Sequence, residues 1–186
     1  MRRWLLTNTT YGTWLPGDRR GSITSVRDLR PDDSRDAERR FEHDMPGQPW
    51  EPEILGLNRA AKEQMNGPPI YFNAEHAEIV LAQFQETSTH RSWMMHAIAI
   101  MRDHFHIVVQ VAGDPDPKKV LADFKAYASR VLNRRFGVPP SETWWTSKGS
   151  KRKLVDDSYF ANAINYVLFK QPQPLVVWSL EKGRLV

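Results

Sequence analysis

Cysteine is absent from the 186 residues. Thiolate nucleophiles, thiolate-rich zinc centres and disulfides are excluded with it. No apolar run approaches the roughly 20 residues that a membrane-spanning helix needs. The opening Met1-Arg2-Arg3-Trp4-Leu5-Leu6-Thr7-Asn8 holds too short an apolar run for a signal peptide, so a soluble cytoplasmic protein with no membrane partner is expected. Acidic charge is in slight deficit: 22 Asp and Glu against 26 Lys and Arg, a formal net charge of +4 and a pI near 9.4. That balance is compatible with a nucleic-acid partner and does not require one. No internal repeat is visible. With 40% hydrophobic residues, the length fits one domain over 1–186, carrying an insertion or long loop at about 17–70 that is polar and rich in Pro, Arg and Asp.

The remaining segments alternate between the two hydrophobic periods. Trp4 to Thr10 reads as a strand that breaks at Gly12 and at Leu15-Pro16-Gly17-Asp18. A short helix is expected near Asn58–Met65. Asn73 is an N-cap candidate for a helix carrying Ala77, Val80, Leu81 and Phe84 and ending near Thr87–His90. Trp93 to Met101 and Asp103 to Val111 read as strands, with Arg102-Asp103 as a bend between them or a bulge in one long strand. Val120, Leu121, Phe124, Ala128, Val131 and Leu132 recur at helical spacing, which predicts a helix over about 118–136, closed by Gly137 and the prolines after it. Thr143 to Thr146 reads as a short strand, Lys148 to Lys153 as a basic loop. Asp156, Asp157 and Ser158 offer caps for a last helix with the stripe Phe160, Ile164, Val167 and Leu168, and Leu175 to Trp178 reads as a final strand. The order predicts an α+β fold: a ferredoxin-like antiparallel sheet with helices on one face, plus the irregular N-terminal insertion.

His104-Phe105-His106 lies at the head of the apolar run ending in Val111. Side chains alternate across a strand, so His104 and His106 share one face while Phe105, Ile107 and Val109 take the other. Two imidazoles held that close by a strand can chelate one divalent metal, which in a basic protein points to metal-assisted phosphoryl chemistry. Two histidines on a solvated strand face are the plainer reading. Phosphodiester cleavage also needs a nucleophile, and a tyrosine phenol turned away from its own helix's core is a candidate. Tyr166 points away from the stripe of its own helix. Tyr127, at a stripe margin, and Tyr159, beside a helix start, compete with it; Tyr11 and Tyr71 fall outside any expected helix. The Lys148 to Lys153 segment beside Trp144 and Trp145 offers phosphate contacts and stacking faces, or else a solvated loop with buried tryptophans. Other His-x-His chemistries fit less well. A histidine triad wants a third alternating His, but position 108 is Val; a cupin site wants a Glu shortly after the pair, and 107–113 contains none; no repeated His-x-Thr element occurs.

His104-Phe105-His106 with Ile107-Val108-Val109, the helix that follows, the block Trp145-Thr146-Ser147-Lys148-Gly149-Ser150 and the block Ala163-Ile164-Asn165-Tyr166-Val167-Leu168-Phe169-Lys170-Gln171 together resemble the single-tyrosine HUH transposases, the insertion-sequence-200-like and REP-associated enzymes. Leu6 to Gly21 is similar to the opening of one bacterial subgroup. The likeness spans most of the chain and is thinnest over about 22–70. It implies a ferredoxin-like domain, a homodimer, and Mg²⁺ or Mn²⁺. It further implies cutting and rejoining of single-stranded DNA, commonly at hairpins, through a covalent 5′-phosphotyrosine. By position, His104 and His106 would be metal ligands and Tyr166 the nucleophile. The family's third ligand, a side chain shortly after the tyrosine, falls to Gln171, because the one-turn position is Lys170. At about 100° per residue, Gln171 stands about 140° round an ideal helix from Tyr166, unless Pro172 breaks that geometry. Lys148, Lys151, Arg152, Lys153 and Lys170 are the expected DNA contacts. Many relatives carry Pro-Asn before the first His; this chain has Arg102-Asp103. Two other readings stay open: a domesticated single-strand or hairpin DNA-binding protein without transposition activity, and a nucleic-acid-binding module whose histidines are structural.

Overall fold

A computed structural model describes residues 1–20, 24–27, 40–43 and 53–186. These form two compact units, one of residues 1–13 and 67–186, the other of residues 14–66. Strand β1 (Arg2–Thr9) belongs to the first. The second contains β2 (Thr24–Arg27) and β3 (Arg40–His43), an antiparallel pair, and helix α1 (Leu55–Glu63). The expected insertion thus contains a hairpin that its sequence did not suggest. Inside this unit Gly17 (φ +76°) accepts a hydrogen bond from the Ile54 N–H, and a Cβ there would lie 2.5 Å from the Ile54 carbonyl, so the turn requires glycine.

The larger unit continues through α2 (Ala74–His90), β4 (Met94–Ile100), β5 (His104–Val111), α3 (Pro117–Phe136), β6 (Ser150–Lys153), α4 (Asp157–Phe169), β7 (Val176–Ser179) and β8 (Gly183–Arg184). Its six-stranded sheet has the order β6-β1-β5-β4-β7-β8, with every pairing antiparallel. The run β1, α2, β4, β5, α3, β6 with central order β6-β1-β5-β4 is the ferredoxin-like split βαβ arrangement, and β7 and β8 widen it beyond β4.

Local chemistry fixes the helix starts. The Asn73 side chain accepts from the His76 N–H and the His76 ring returns to the Asn73 N–H, a reciprocal capping box for α2. Asp116 caps α3 ahead of Pro117, and Asp156 caps α4 by accepting from the Tyr159 N–H.

The helices lie on both faces of the sheet, not on one. Phe105, Ile107 and Val109 of β5 join Val80 and Phe84 of α2 and Val120, Phe124 and Leu132 of α3 in one core. Val108 joins Ala97 and Ala99 of β4, Val177 of β7, and Ala163 and Val167 of α4 in a second, with Phe160, Ile164 and Leu168 packed against it. The cause is visible in β4. Ile98 and Ile100 fill one face and Ala97 and Ala99 the other, so both faces are apolar and both need cover.

Two connections also differ from expectation. The basic segment is no loop: Ser150 to Lys153 pair with Trp4 to Thr7 as an edge strand. An edge strand tolerates lysine because one side of its backbone has no further strand to pair with. The strand expected over Thr143 to Thr146 reduces to one bridge, Thr10 to Trp145.

Candidate active site

The site begins with a tight turn. The Met101 N–H donates to the His104 carbonyl at 2.8 Å, so Arg102-Asp103 is a bend between β4 and β5. Both carbonyls of that bend are held from outside. The Arg102 carbonyl accepts from the Phe72 N–H at 2.7 Å, and the Asp103 carbonyl accepts from the Thr10 N–H at 2.8 Å and from the Thr10 and Thr13 hydroxyls at 3.1 and 3.2 Å. A turn with its polar groups engaged in this way starts β5 in a fixed position.

His104 and His106 project from the α4 face, with ring centroids 5.0 Å apart and planes at 82°. His104 Nδ1 lies 2.6 Å from Asp103 Oδ1, and His106 Nδ1 lies 2.6 Å from Thr7 Oγ1. Thr7 stands directly opposite His106 in the β1–β5 register. His106 is 8% exposed. Burial, and secondarily the neighbouring His104, push its pKa down to about 3. It is therefore a neutral imidazole throughout the physiological range, the form that gives a lone pair to a metal.

Tyr166 packs its ring against His106, centroid to centroid 5.3 Å at 70°, and is 42% exposed. Its helix is anchored by the buried Ala163 and Val167, which leaves Tyr166 at the margin of the buried stripe, against His106. α4 ends at Phe169, and Gln171 folds back so that its Nε2 donates to the Tyr166 carbonyl at 2.9 Å. The Lys170 N–H donates to the same carbonyl at 3.1 Å.

The donor set fits a divalent cation. Each imidazole has an oxygen within hydrogen-bond distance of its Nδ1, and a cation would be held through Nε2 wherever Nδ1 carries the hydrogen. Gln171 has its amide nitrogen engaged, which leaves Oε1 as its acceptor. Among the described residues no group of three or more His, Cys, Asp or Glu is assembled to hold a metal. An ion bound to the pair would take further oxygen donors such as an amide, water or substrate oxygen, as suits Mg²⁺ or Mn²⁺.

The other tyrosines are placed differently. Tyr127 is half-buried on α3, beyond the opposite face of the sheet, with Arg91 and Arg130 over its ring. Tyr71 is exposed, with Arg102 over its ring at 5.5 Å. Tyr159, two turns before Tyr166 on α4, is exposed, with the Arg152 guanidinium 5.7 Å above its ring.

The basic residues do not form one surface. In the β6–β1 register Arg152 stands opposite Leu5 and Ser150 opposite Thr7, on the face of the histidine pair, whereas Lys151 and Lys153 stand opposite Leu6 and Trp4, on the α3 face. Lys151 donates to the Gly149 carbonyl, and its pKa is lowered by burial and then by Lys118. Lys148 and Lys170 are exposed, Lys170 at the C-terminal cap of α4. The stacking role considered for Trp144 and Trp145 does not hold. They are 5% and 3% exposed, belong to the core, and donate their indole N–H groups to Asn133 and Ser129 of α3.

Sequence reasoning missed Thr7 and Lys125. Lys125 on α3 donates to the Thr146 carbonyl at 2.5 Å, to Asn8 Oδ1 at 3.3 Å and to the Ser147 carbonyl at 3.4 Å, which ties α3 to β1 and to the segment leading into β6. No local pattern marks either residue. Both act across contacts distant in sequence.

A sequence model of the IS200-like transposases matches residues 70–167, more than half of the 186. The chain belongs to this family. Within this IS200-like transposase the matched span holds His104, His106 and Tyr166; Thr7, the 14–66 unit and Gln171 lie outside it. No curated protein sequence matches the chain. A solved structure of a REP-associated tyrosine transposase bound to a REP hairpin is similar with a TM-score of 0.46 and 8% identity, over 89% of this chain and 64% of that one. This chain thus spans 64% of the length of that protein.

Proposed function

We propose that this protein is a metal-dependent nickase and transposase that cuts and rejoins single-stranded DNA, with Tyr166 as nucleophile and His104, His106 and Gln171 as ligands of Mg²⁺ or Mn²⁺. The observation that carries the reading is the packing of an exposed tyrosine ring on His106 of a same-face histidine pair. Membership of the IS200-like family supports the reaction class.

The chemistry follows from the groups present. Tyr166 Oη attacks the phosphorus, the Oη–P bond forms and the P–O3′ bond breaks. The phenolic proton leaves to solvent, and the departing 3′ oxygen takes one up. The 5′ end stays on the protein as a phosphotyrosine. Attack by a second 3′-hydroxyl on that phosphorus reverses the step, frees Tyr166 and joins a new strand. A divalent cation, when bound, neutralises charge on the scissile phosphate. Strand β5 and the buried stripe of α4 hold the two histidines and the tyrosine in one place, which supplies orientation.

Lys148, Lys151, Arg152, Lys153 and Lys170 are proposed to contact DNA phosphates, with Arg152 and Lys170 on the tyrosine side. The single-stranded or hairpin target and the homodimer belong to the same proposal.

Tyr166→Phe removes one exposed oxygen and leaves packing intact. Incubated with labelled hairpin DNA and Mn²⁺, the wild type should give a DNA adduct that survives denaturation, as should Tyr127→Phe and Tyr159→Phe, and Tyr166→Phe should give none. An adduct persisting in Tyr166→Phe refutes the assignment.

A further inference from the structure

An imidazole that ligates a metal does so through one nitrogen in the neutral ring, and the hydrogen on the other nitrogen needs an acceptor. That acceptor decides which nitrogen is available. For His104 the choice is forced. Asp103 Oδ1, at 2.6 Å from Nδ1, belongs to a carboxylate, which only accepts when ionised. Nδ1 of a neutral His104 carries the hydrogen, and its Nε2 carries the lone pair. For His106 the choice is not forced by chemistry. Its partner at 2.6 Å is the Thr7 hydroxyl, which either donates or accepts. If Thr7 donated, the hydrogen would sit on Nε2 and close that nitrogen to a metal.

We propose that Thr7 is a positioning residue of the active site: its hydroxyl accepts from His106 Nδ1–H and so places the ring's lone pair on Nε2, as Asp103 does for His104. The inference rests on the metal-site reading above and names how this chain builds it. The fold supports it. Thr7 is flanked on both sides, paired with His106 on one and with Ser150 of the edge strand on the other. Its side chain therefore has little freedom to leave the ring. His106 is buried, so water is poorly placed to replace the hydroxyl. The two supports are unequal: a carboxylate makes His104 the more strongly donating ligand, and a neutral hydroxyl leaves His106 the weaker one. Asp103 engages the far nitrogen of His104, which makes it a support of the ligand.

The test has two parts. Nitrogen NMR of the metal-free, full-length protein labelled at histidine reads the His106 tautomer directly, and Nδ1–H is expected. Mn²⁺ binding by calorimetry is then compared across variants. Thr7→Val keeps the strand-favouring branched shape and should weaken Mn²⁺ binding by about 10- to 100-fold. Thr7→Ser, which keeps the hydroxyl, should restore it. An Nε2–H tautomer in the wild type overturns the proposal, and no variant is needed to see it. Undiminished Mn²⁺ affinity in a folded Thr7→Val also overturns it, provided His106→Ala does lose affinity. Should His106→Ala bind Mn²⁺ as the wild type does, the metal-site reading itself falls.

Discussion

Gly149→Ala adds one methyl group where the molecule has no room for it. The new Cβ would stand 2.5 Å from Asn8 Oδ1, 2.5 Å from the Thr7 carbonyl oxygen and 2.7 Å from Leu121 Cδ2, about 1 Å inside ordinary contact. Leu121 can turn aside. Asn8 is constrained, because its amide donates to the Thr9 carbonyl and to Thr146 while its oxygen receives Lys125. The Thr7 carbonyl is main chain in a strand paired on both sides. The methyl therefore forces the segment entering β6 away from β1. Overpacking of this kind costs about 1–3 kcal/mol, which for a chain of this length lowers the melting temperature by about 2–12 °C. The strain falls on the residue that supports His106, so Mn²⁺ affinity should drop in the same variant. Gly56→Ala is the matched control. It lies in helix α1 with nothing within 4 Å of the added carbon. There alanine should be neutral or stabilising by about 0.5–1 kcal/mol. Thermal melts followed by circular dichroism read both. If Gly149→Ala melts within about 1 °C of the wild type, the close approach of β6 and β1 is wrong, because no overpacking cost would be visible.

Two further outcomes follow from the packing. Trp145 meets Phe72 and Phe105 edge-on at 5.3 and 5.5 Å, so Trp145→Ala should cost about 3–5 kcal/mol in urea unfolding, while folded Trp145→Phe should bind single-stranded DNA as the wild type does; a selective loss of DNA affinity in Trp145→Phe would restore the stacking role. Burial, and to a lesser extent Lys151, lower the Lys125 pKa from 10.5 to about 8. From pH 8 to 10.5 the unfolded chain then holds a proton that the folded one has released, so stability rises with pH across that window. Lys125→Met should flatten that rise, and an unchanged slope in pH-dependent urea midpoints would show that Lys125 stays charged when folded.

What the sequence discloses here is what local chemistry decides. Asn73 ahead of an apolar helical stripe places the start of α2, and the period of two in His104-Phe105-His106 is enough to place both imidazoles on one face. What it hides depends on register. Thr7 and His106 are 99 positions apart, and nothing in Leu6-Thr7-Asn8 marks the hydroxyl as a partner of a histidine. β6 is hidden for a related reason. Ser150 to Lys153 has almost no strand propensity, and the ladder offered by β1 outweighs it at an edge where lysines remain solvated. The tryptophans beside it read equally well as stacking faces or as core, and the deciding partners, Asn133 and Ser129, lie one turn apart on α3, which sequence alone does not bring near them.

Gln171 shows how a helix end can alter a geometric argument. On a continuous helix it would be turned well away from Tyr166, and the five-residue spacing counts against a shared site. The helix stops at Phe169, so that restriction does not apply. Beyond the stop the Gln171 amide returns to the Tyr166 carbonyl, which would otherwise be one of the last carbonyls of the helix without an intrahelical partner other than the capping N–H of Lys170. The same bond that finishes the helix ties Gln171 to the residue bearing the proposed nucleophile and leaves its oxygen as the acceptor. Termination of α4 and the placement of Gln171, the proposed third ligand, are thus one structural event.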